Sequence, residues 1–355
     1  MSPSCPPPPD GRTPRLPWRL VAVVLALAVA GCGSDAASSG PAQQAQATKT
    51  PEPPADLYMA PGGSDKASCT SEAPCKTFNR AFEVAEPGQV VEVAAGTYGH
   101  QILDAAPKAG GPRVVFRPAA GAEVTVGSIG VSTGPVEFRD LRAKAGTYND
   151  QNAHDVMYLR VRAQNLFVRG SSKIAYVESD IGPNGAKDDM NWITAAYGTQ
   201  QGARDVLIER TRIHDIIMHK EGAHIDCLAA DDVDGLVIRD SSFSNCEHFA
   251  LLFGTDTATA RGARNVVIEG NELDCCRSGY YSIGLGQVDG PMVIRDNVAN
   301  KNFGFLGGPV KDVEIHDNTL PGHQESICDK AEWRDNKLTD PESPICGPGE
   351  THAAG

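Results

Sequence analysis

Residues 213–227 read Ile213-His214-Asp215-Ile216-Ile217-Met218-His219-Lys220-Glu221-Gly222-Ala223-His224-Ile225-Asp226-Cys227, which is three histidines, one lysine and three carboxylates in a short span. Within it His224-Ile225-Asp226 alternates polar, apolar, polar. On an extended strand that pattern turns Ile225 to one side and sets His224 and Asp226 together on the other. Two chemistries follow. The His224 imidazole or the Lys220 amine can take a proton as a general base. Carboxylate oxygens suit a hard cation such as Ca²⁺, and Asp231 and Asp232 follow closely enough to join Asp226 as ligands. Asp231, Asp232 and Asp234 are read more naturally as a solvated turn. Asp226 with Asp231 or Asp232 is also the one cluster that offers the paired carboxylates of a glycoside hydrolase. His214 and His219 are further metal-ligand candidates. No Gly-x-Ser-x-Gly elbow, His-Glu-x-x-His pair or phosphate-cradling Gly-x-x-x-x-Gly-Lys loop occurs.

These residues need a scaffold, and the sequence describes one. Val206-Leu207-Ile208-Glu209-Arg210-Thr211 returns as Leu236-Val237-Ile238-Arg239-Asp240-Ser241, Val266-Val267-Ile268-Glu269-Gly270-Asn271 and Met292-Val293-Ile294-Arg295-Asp296-Asn297. Two more copies are Val313-Glu314-Ile315-His316-Asp317-Asn318 and Ala331-Glu332-Trp333-Arg334-Asp335-Asn336. A strand-plus-turn phrase recurring 18 to 30 residues apart indicates a solenoid. Anchors are expected at Phe116, Phe138, Val177, Ile208, Ile238, Ile268, Ile294, Ile315 and Trp333. A second inward residue follows five positions later at Ile213, Phe243, Leu273, Leu320 and Leu338. The polar residue three after the anchor, Asn in four coils, is expected to take the left-handed bend and to bond to neighbouring coils. Nine stacked anchors at about 4.8 Å per coil give a cylinder roughly 40 Å long. Upstream, Phe78, Ala81, Phe82 and Ala85 form a helical stripe over residues 76–86. It ends at Pro87-Gly88 and caps the first coil. The fold class expected is all-β, a single-stranded right-handed parallel β-helix with a short N-terminal capping helix. Extended register stacks the segments at Trp192, His248, Tyr281 and Asn302 on one sheet. There Trp192, His248 and Tyr281 would line a groove beside His224 and Asp226.

The chain's ends carry a different message. Arg12, Arg15 and Arg19 precede an apolar run from Leu20 to Ala30, too short to span a bilayer and typical of a signal peptide. Val29-Ala30-Gly31-Cys32 resembles a bacterial lipobox, which implies cleavage before Cys32, lipid on its thiol and an exported protein held at the bacterial cell membrane or envelope. Residues 1–31 are thus a lipoprotein signal peptide, 32–56 a flexible tether, 57–346 the β-helix domain and 347–355 a disordered tail. Removing the signal moves the net charge from −13 to −15. So acidic a chain is poorly suited to nucleic acid. Eight cysteines then remain besides Cys32, an even number that suits disulfides in an exported protein. Cys69 with Cys75 and Cys328 with Cys346 are the expected pairs. Cys227, Cys246, Cys275 and Cys276 leave two arrangements open, Cys246–Cys276 or Cys227–Cys246. No Cys-x-x-Cys spacing supports zinc.

Tyr58-Met59-Ala60-Pro61-Gly62-Gly63-Ser64-Asp65, Pro74-Cys75-Lys76-Thr77-Phe78, Pro87-Gly88 and Ala95-Gly96-Thr97-Tyr98 resemble the opening of pectate-lyase-like right-handed parallel β-helix proteins. The Arg-Asp-Asn coils resemble the same superfamily's repeats, so the likeness covers roughly residues 57–340. It implies a partner that is a polysaccharide, most naturally an acidic one, and an activity such as a polysaccharide lyase. In that role His224 or Lys220 would be the base, Asp226, Asp231 and Asp232 would hold Ca²⁺, and Arg277 would neutralise the uronate charge. The calcium-site and catalytic-arginine signatures of pectate lyases are not matched. A non-catalytic glycan-binding or envelope scaffold protein fits the same fold.

Overall fold

The computed structural model describes residues 52–184, 191–196, 198–199, 201–217, 225–254, 261–279, 281–323 and 328–353. The signal segment and Cys32 lie outside them, as do Lys220 and His224. Strand follows short strand, and every pairing between strands is parallel, as a right-handed parallel β-helix requires. One face stacks twelve strands from Leu57–Met59 to Glu332–Arg334. The other nineteen strands make two faces. The long strands Gly96–Leu103 and Val124–Val131 run through both, whereas later coils break into separate short pieces. The second face includes Arg142–Ala143, Arg162–Ala163, Asp180–Ile181, Arg212–His214 and Ser242–Ser244. The third includes Thr147–Asn149, Leu166–Arg169, Trp192–Thr194, Leu228–Ala230, Leu251–Phe253, Tyr281–Leu285 and Asn302–Phe305.

The capping helix forms at Phe78–Val84, with Thr77 as its N-cap accepting from the Arg80 N–H. Its Phe78 ring closes the end of an internal aromatic pile, 4.9 Å from Phe116 and 5.7 Å from Phe138. Phe138, Tyr158 and Tyr176 continue the pile at 5.5 and 4.7 Å. Register places Tyr176, not Val177, opposite Ile208, and adds a coil at Tyr158 that the anchor spacing skipped. Tyr176 thus stands where Val177 was expected, and Tyr158 where no anchor was expected. Their hydroxyls stay inside because Asn149 and Thr147 accept them or share a proton with them. Burial drives the Tyr176 and Tyr158 phenols well above their ordinary range.

Beyond Ile208 the pile becomes aliphatic, and a polar ladder runs beside it. The N–H groups of Thr211, Ser241, Asn271, Asn297 and Asn318 donate to the side-chain oxygens of Ser241, Asn271, Asn297, Asn318 and Asn336 at 3.0–3.1 Å. The left-handed residue is one position earlier than expected, at Arg210, Asp240, Gly270, Asp296, Asp317 and Asp335, with φ between 46° and 65°. Asn must point inward to serve the ladder, so the exposed residue before it makes the bend. The ladder ends in Glu350, whose carboxylate accepts from Asn336 Nδ2 and from the N–H groups of Cys346 and Gly347. Those bonds order the expected tail, and Thr351–His352 adds a strand beside Lys337–Leu338. At the other end the expected tether gives up its last residues. Asp56 accepts the Val90 N–H at 2.8 Å, and Glu52 pairs with Arg117. Cys69 is bonded to Cys75, Cys328 to Cys346, Cys227 to Cys246 and Cys275 to its neighbour Cys276. Of the two open arrangements, the Cys246–Cys276 one is absent.

Candidate functional site

On the third face alternate residues point outward, and parallel register stacks them in columns. One column runs Ile102, Gly130, Tyr148, Phe167, Trp192, Ala229, Leu252, Gly284 and Gly304. Their inward neighbours Val168, Ile193, Ala230 and Phe253 are buried in the core. Three consecutive members of the column are aromatic. Tyr148 and Phe167 stack at 5.2 Å with planes 11° apart. The Arg169 guanidinium lies over Phe167 at 4.9 Å and over Trp192 at 6.0 Å. Among the described residues Arg169 has no ion-pair partner, and it is exposed. The Trp192 indole N–H donates to Asp231 Oδ2 at 2.5 Å, which fixes the ring's tilt.

The column is open only over its first five members. Phe167 is 6 % exposed although it points outward, because its neighbours flank it. Further along, Ala229 and Leu252 are fully covered. A Cβ on Gly284 would strike the Phe249 ring at 2.8 Å, and one on Gly304 would strike the Tyr281 ring at 2.3 Å. Tyr281 therefore serves as a lid over its neighbouring coil.

The residues singled out by sequence are partly brought together. Trp192, His248 and Tyr281 belong to the third face or the turn leading into it, as the stacked segments require. Ile225 faces the core, but the strand begins only at Leu228. The Ile225 N–H donates to His248 Nδ1 at 3.2 Å, while Lys220 and His224 lie outside the described residues. Arg277 is exposed in the loop after the Cys275–Cys276 pair.

The expected Ca²⁺ ligand set is not assembled. Asp226 precedes the strand Leu228–Ala230, whereas Asp231 and Asp232 follow it. Four residues stand between Asp226 and Asp231, and among the described residues the three carboxylates do not come within 4.8 Å of one another as the ligands of one ion would. Asp231 and Asp232 do not form a solvated turn either, for both are buried. Asp231 serves Trp192, and Asp232 starts the next strand with Arg261 Nε 3.6 Å away.

His214 is on the second face, away from the column. Its ring lies between two carboxylates, Asp215 at 2.6 Å and Asp180 at 2.8 Å, so both nitrogens are engaged and neither is free for a metal. The Asn245 amide, then His214, hold the Asp215 carboxyl below its ordinary value. A depressed folded-state value contributes stability that is present above the unfolded pKa of about 3.9 and is lost as pH falls through the folded value. Thermal melts from pH 6 down to pH 3 should therefore show the gap between Asn245→Ala and the parent widest near neutrality and narrowing toward the acid end, where only the strain of alanine at the left-handed φ of 51° remains. A constant gap across that range would contradict this assignment.

Two other groupings are structural. An open cleft of about 540 Å³ on the second face is lined by Asp140, Arg142, Arg160, Arg162, Glu178 and Asp180. Its charges answer each other, with Arg160 bonded to Asp140 at 2.6 and 2.8 Å. His323, Cys328 and Cys346 come within 4.8 Å of one another, but the two sulfurs are joined, so no thiolate is offered.

Tyr148, Phe167 and Arg169 escaped the sequence reading. The available signal was an aromatic residue followed by an inward and then a polar residue, as in Tyr148-Asn149-Asp150, Phe167-Val168-Arg169 and Trp192-Ile193-Thr194.

Among known proteins, residues 61–108 match the model of a protein family of unknown function, DUF1565. No curated protein matches the chain. Among solved structures, the chain is similar to pectate lyase Pel9A at 15 % identity and TM-score 0.39, covering 84 % of this chain and 77 % of that one. It is also similar to the GH136 lacto-N-biosidase from Eubacterium ramulus. The selenomethionine derivative gives 10 % identity and TM-score 0.43, covering 83 % of this chain and 64 % of that one. The native protein gives 9 % and 0.40, covering 83 % and 65 %.

Proposed function

We propose that this is an exported, lipid-anchored β-helix protein that holds an acidic polysaccharide along its third face. The observation that carries the reading is the outward column Tyr148–Phe167–Trp192 with Arg169 across it. Two accessible rings, Tyr148 and Trp192, held by the covered Phe167 between them, with a few fixed polar groups beside them, are what a ligand surface needs. Sugars present C–H faces to such rings. A uronate carboxylate adds an anion for Arg169, whose guanidinium suits bidentate pairing. Cys32 would tie this surface to the membrane through lipid, with the tether giving it reach.

Holding is favoured over cleaving, because Asp226 and the Asp231–Asp232 pair lie at opposite ends of one strand. The test is to incubate the full chain with polygalacturonate, alginate and a neutral xylan, with and without Ca²⁺. Binding would be followed by calorimetry and unsaturated product by ultraviolet absorbance. The expected result is saturable binding to a uronate polymer and no product. Product formation that disappears in His224→Ala or Asp226→Ala would establish the lyase instead. Absence of binding to every polymer would sink the glycan reading.

A further inference from the structure

Gly130 occupies the outward column between Ile102 and Tyr148. The two flanking side chains are therefore two strand spacings apart, roughly 9.6 Å. A Cβ at Gly130 would meet only Ile102 Cγ1 at 3.7 Å and Gln101 O at 3.8 Å, so the position is open toward Tyr148. One face of the Tyr148 ring is taken by Phe167. The opposite face looks across this gap, and Tyr148 is 38 % exposed while Ile102 is 61 % exposed. Gly284 and Gly304 share the column but lie beneath the rings of Phe249 and Tyr281. At ordinary carbon contact distances of about 3.5–4.0 Å on each side, the gap admits one layer of atoms a single ring thick.

The gap's two ends are polar. Two residues before Gly130 on the same strand face, the Ser128 hydroxyl bonds to His100 Nδ1 at 2.7 Å. Two residues after it, the Ser132 hydroxyl donates to Asp150, whose other oxygen accepts the Asn152 N–H at 2.9 Å. These pairs stand about 6.6 Å to either side of the gap's centre. A guest with apolar faces and hydroxyls around its rim matches this arrangement. A flat aromatic guest would satisfy the walls but make no use of the polar groups at either end.

We infer that the Gly130 gap is a monosaccharide subsite of the third face. One pyranose ring lies with its C–H face on Tyr148 and its back against Ile102. Its hydroxyls reach the Ser128–His100 pair at one end and the Ser132–Asp150 pair at the other. The inference rests on the glycan reading above and adds where one sugar is gripped.

Gly130→Val tests it cleanly. Gly130 is not among the residues with left-handed φ, and a Cβ there makes ordinary contacts, so a β-branched side chain fits the strand while filling the gap. The full chain and its variants would be titrated calorimetrically with polygalacturonate and alginate oligosaccharides, with melting temperatures recorded alongside. Gly130→Val and Tyr148→Ala should each weaken binding at least about tenfold, and Tyr148→Phe should stay within about threefold, all at nearly parental melting temperature. Parental affinity in Gly130→Val overturns the subsite. If Trp192→Ala then still weakens binding, the face survives and only the subsite falls. If neither variant changes binding, or no probe binds the parent, the glycan reading falls and the subsite with it.

Discussion

Trp192→Ala should lower affinity for the bound polymer about thirtyfold, equivalent to about 2 kcal/mol, the cost of removing a central aromatic anchor from an interface. Trp192 ends the open part of the column, touches Arg169 and is tilted by its bond to Asp231. Truncation removes the ring and lets Arg169 swing away from where a uronate would meet it. Trp192→Phe keeps a ring in the column and drops only the indole N–H bond, so it should lose no more than about threefold. The contrast between these variants separates ring stacking from the Asp231 contact. Equal losses would assign the effect to the bond, and equal retention would remove Trp192 from the binding surface.

Asn297→Ala should have the largest effect on stability, about 3–5 kcal/mol. Asn297 is buried. Its amide donates to Ile268 O at 3.0 Å, Arg295 O at 2.8 Å and Asn318 Oδ1 at 2.9 Å. Its oxygen accepts from Asn271 N at 3.0 Å and Nδ2 at 2.9 Å. Alanine leaves buried donors and acceptors on both adjoining coils unsatisfied, at about 1–3 kcal/mol each and less than additively. Asn297→Ser should cost less than half as much, because Thr211 and Ser241 fill the same ladder position with a hydroxyl. In a solenoid each coil leans on its neighbours, so the loss should appear first as faster hydrogen exchange around residues 268–318. Urea melts that place Asn297→Ala within about 1 kcal/mol of the parent would show the ladder to be dispensable.

The stacking unit was legible because its Asn repeats for a reason that is local to each coil. A buried amide must reach the next coil at one offset, and Asn271, Asn297, Asn318 and Asn336 all keep it. The coil at Tyr158 was hidden because Met157-Tyr158-Leu159 lacks the Val-x-Ile signature, although its register is the same. The left-handed position was read one residue late, since Asn tolerates that bend in isolation while here its side chain is committed inward. Of the histidine-rich stretch, His214 stands on the second face while Ile225 leads into the third, and residues 218–224 lie outside the described ones. Conversely, Tyr148, Phe167 and Trp192 are 19 and 25 residues apart, and unequal coil lengths hide an alignment that only the hydrogen-bonded register creates.

Tryptophan fluorescence tests the central claim most directly. The chain has three tryptophans. Trp18 lies in the expected signal segment, and Trp333 is buried in a coil near the far end. In a Trp333→Phe protein lacking residues 1–31, Trp192 is the sole emitter. Titration with the uronate polymer that binds in calorimetry should then give a saturable change in Trp192 emission, with a midpoint matching the calorimetric affinity. Calorimetric binding with Trp192 emission unchanged throughout would place the polymer elsewhere and contradict the third face as the glycan surface.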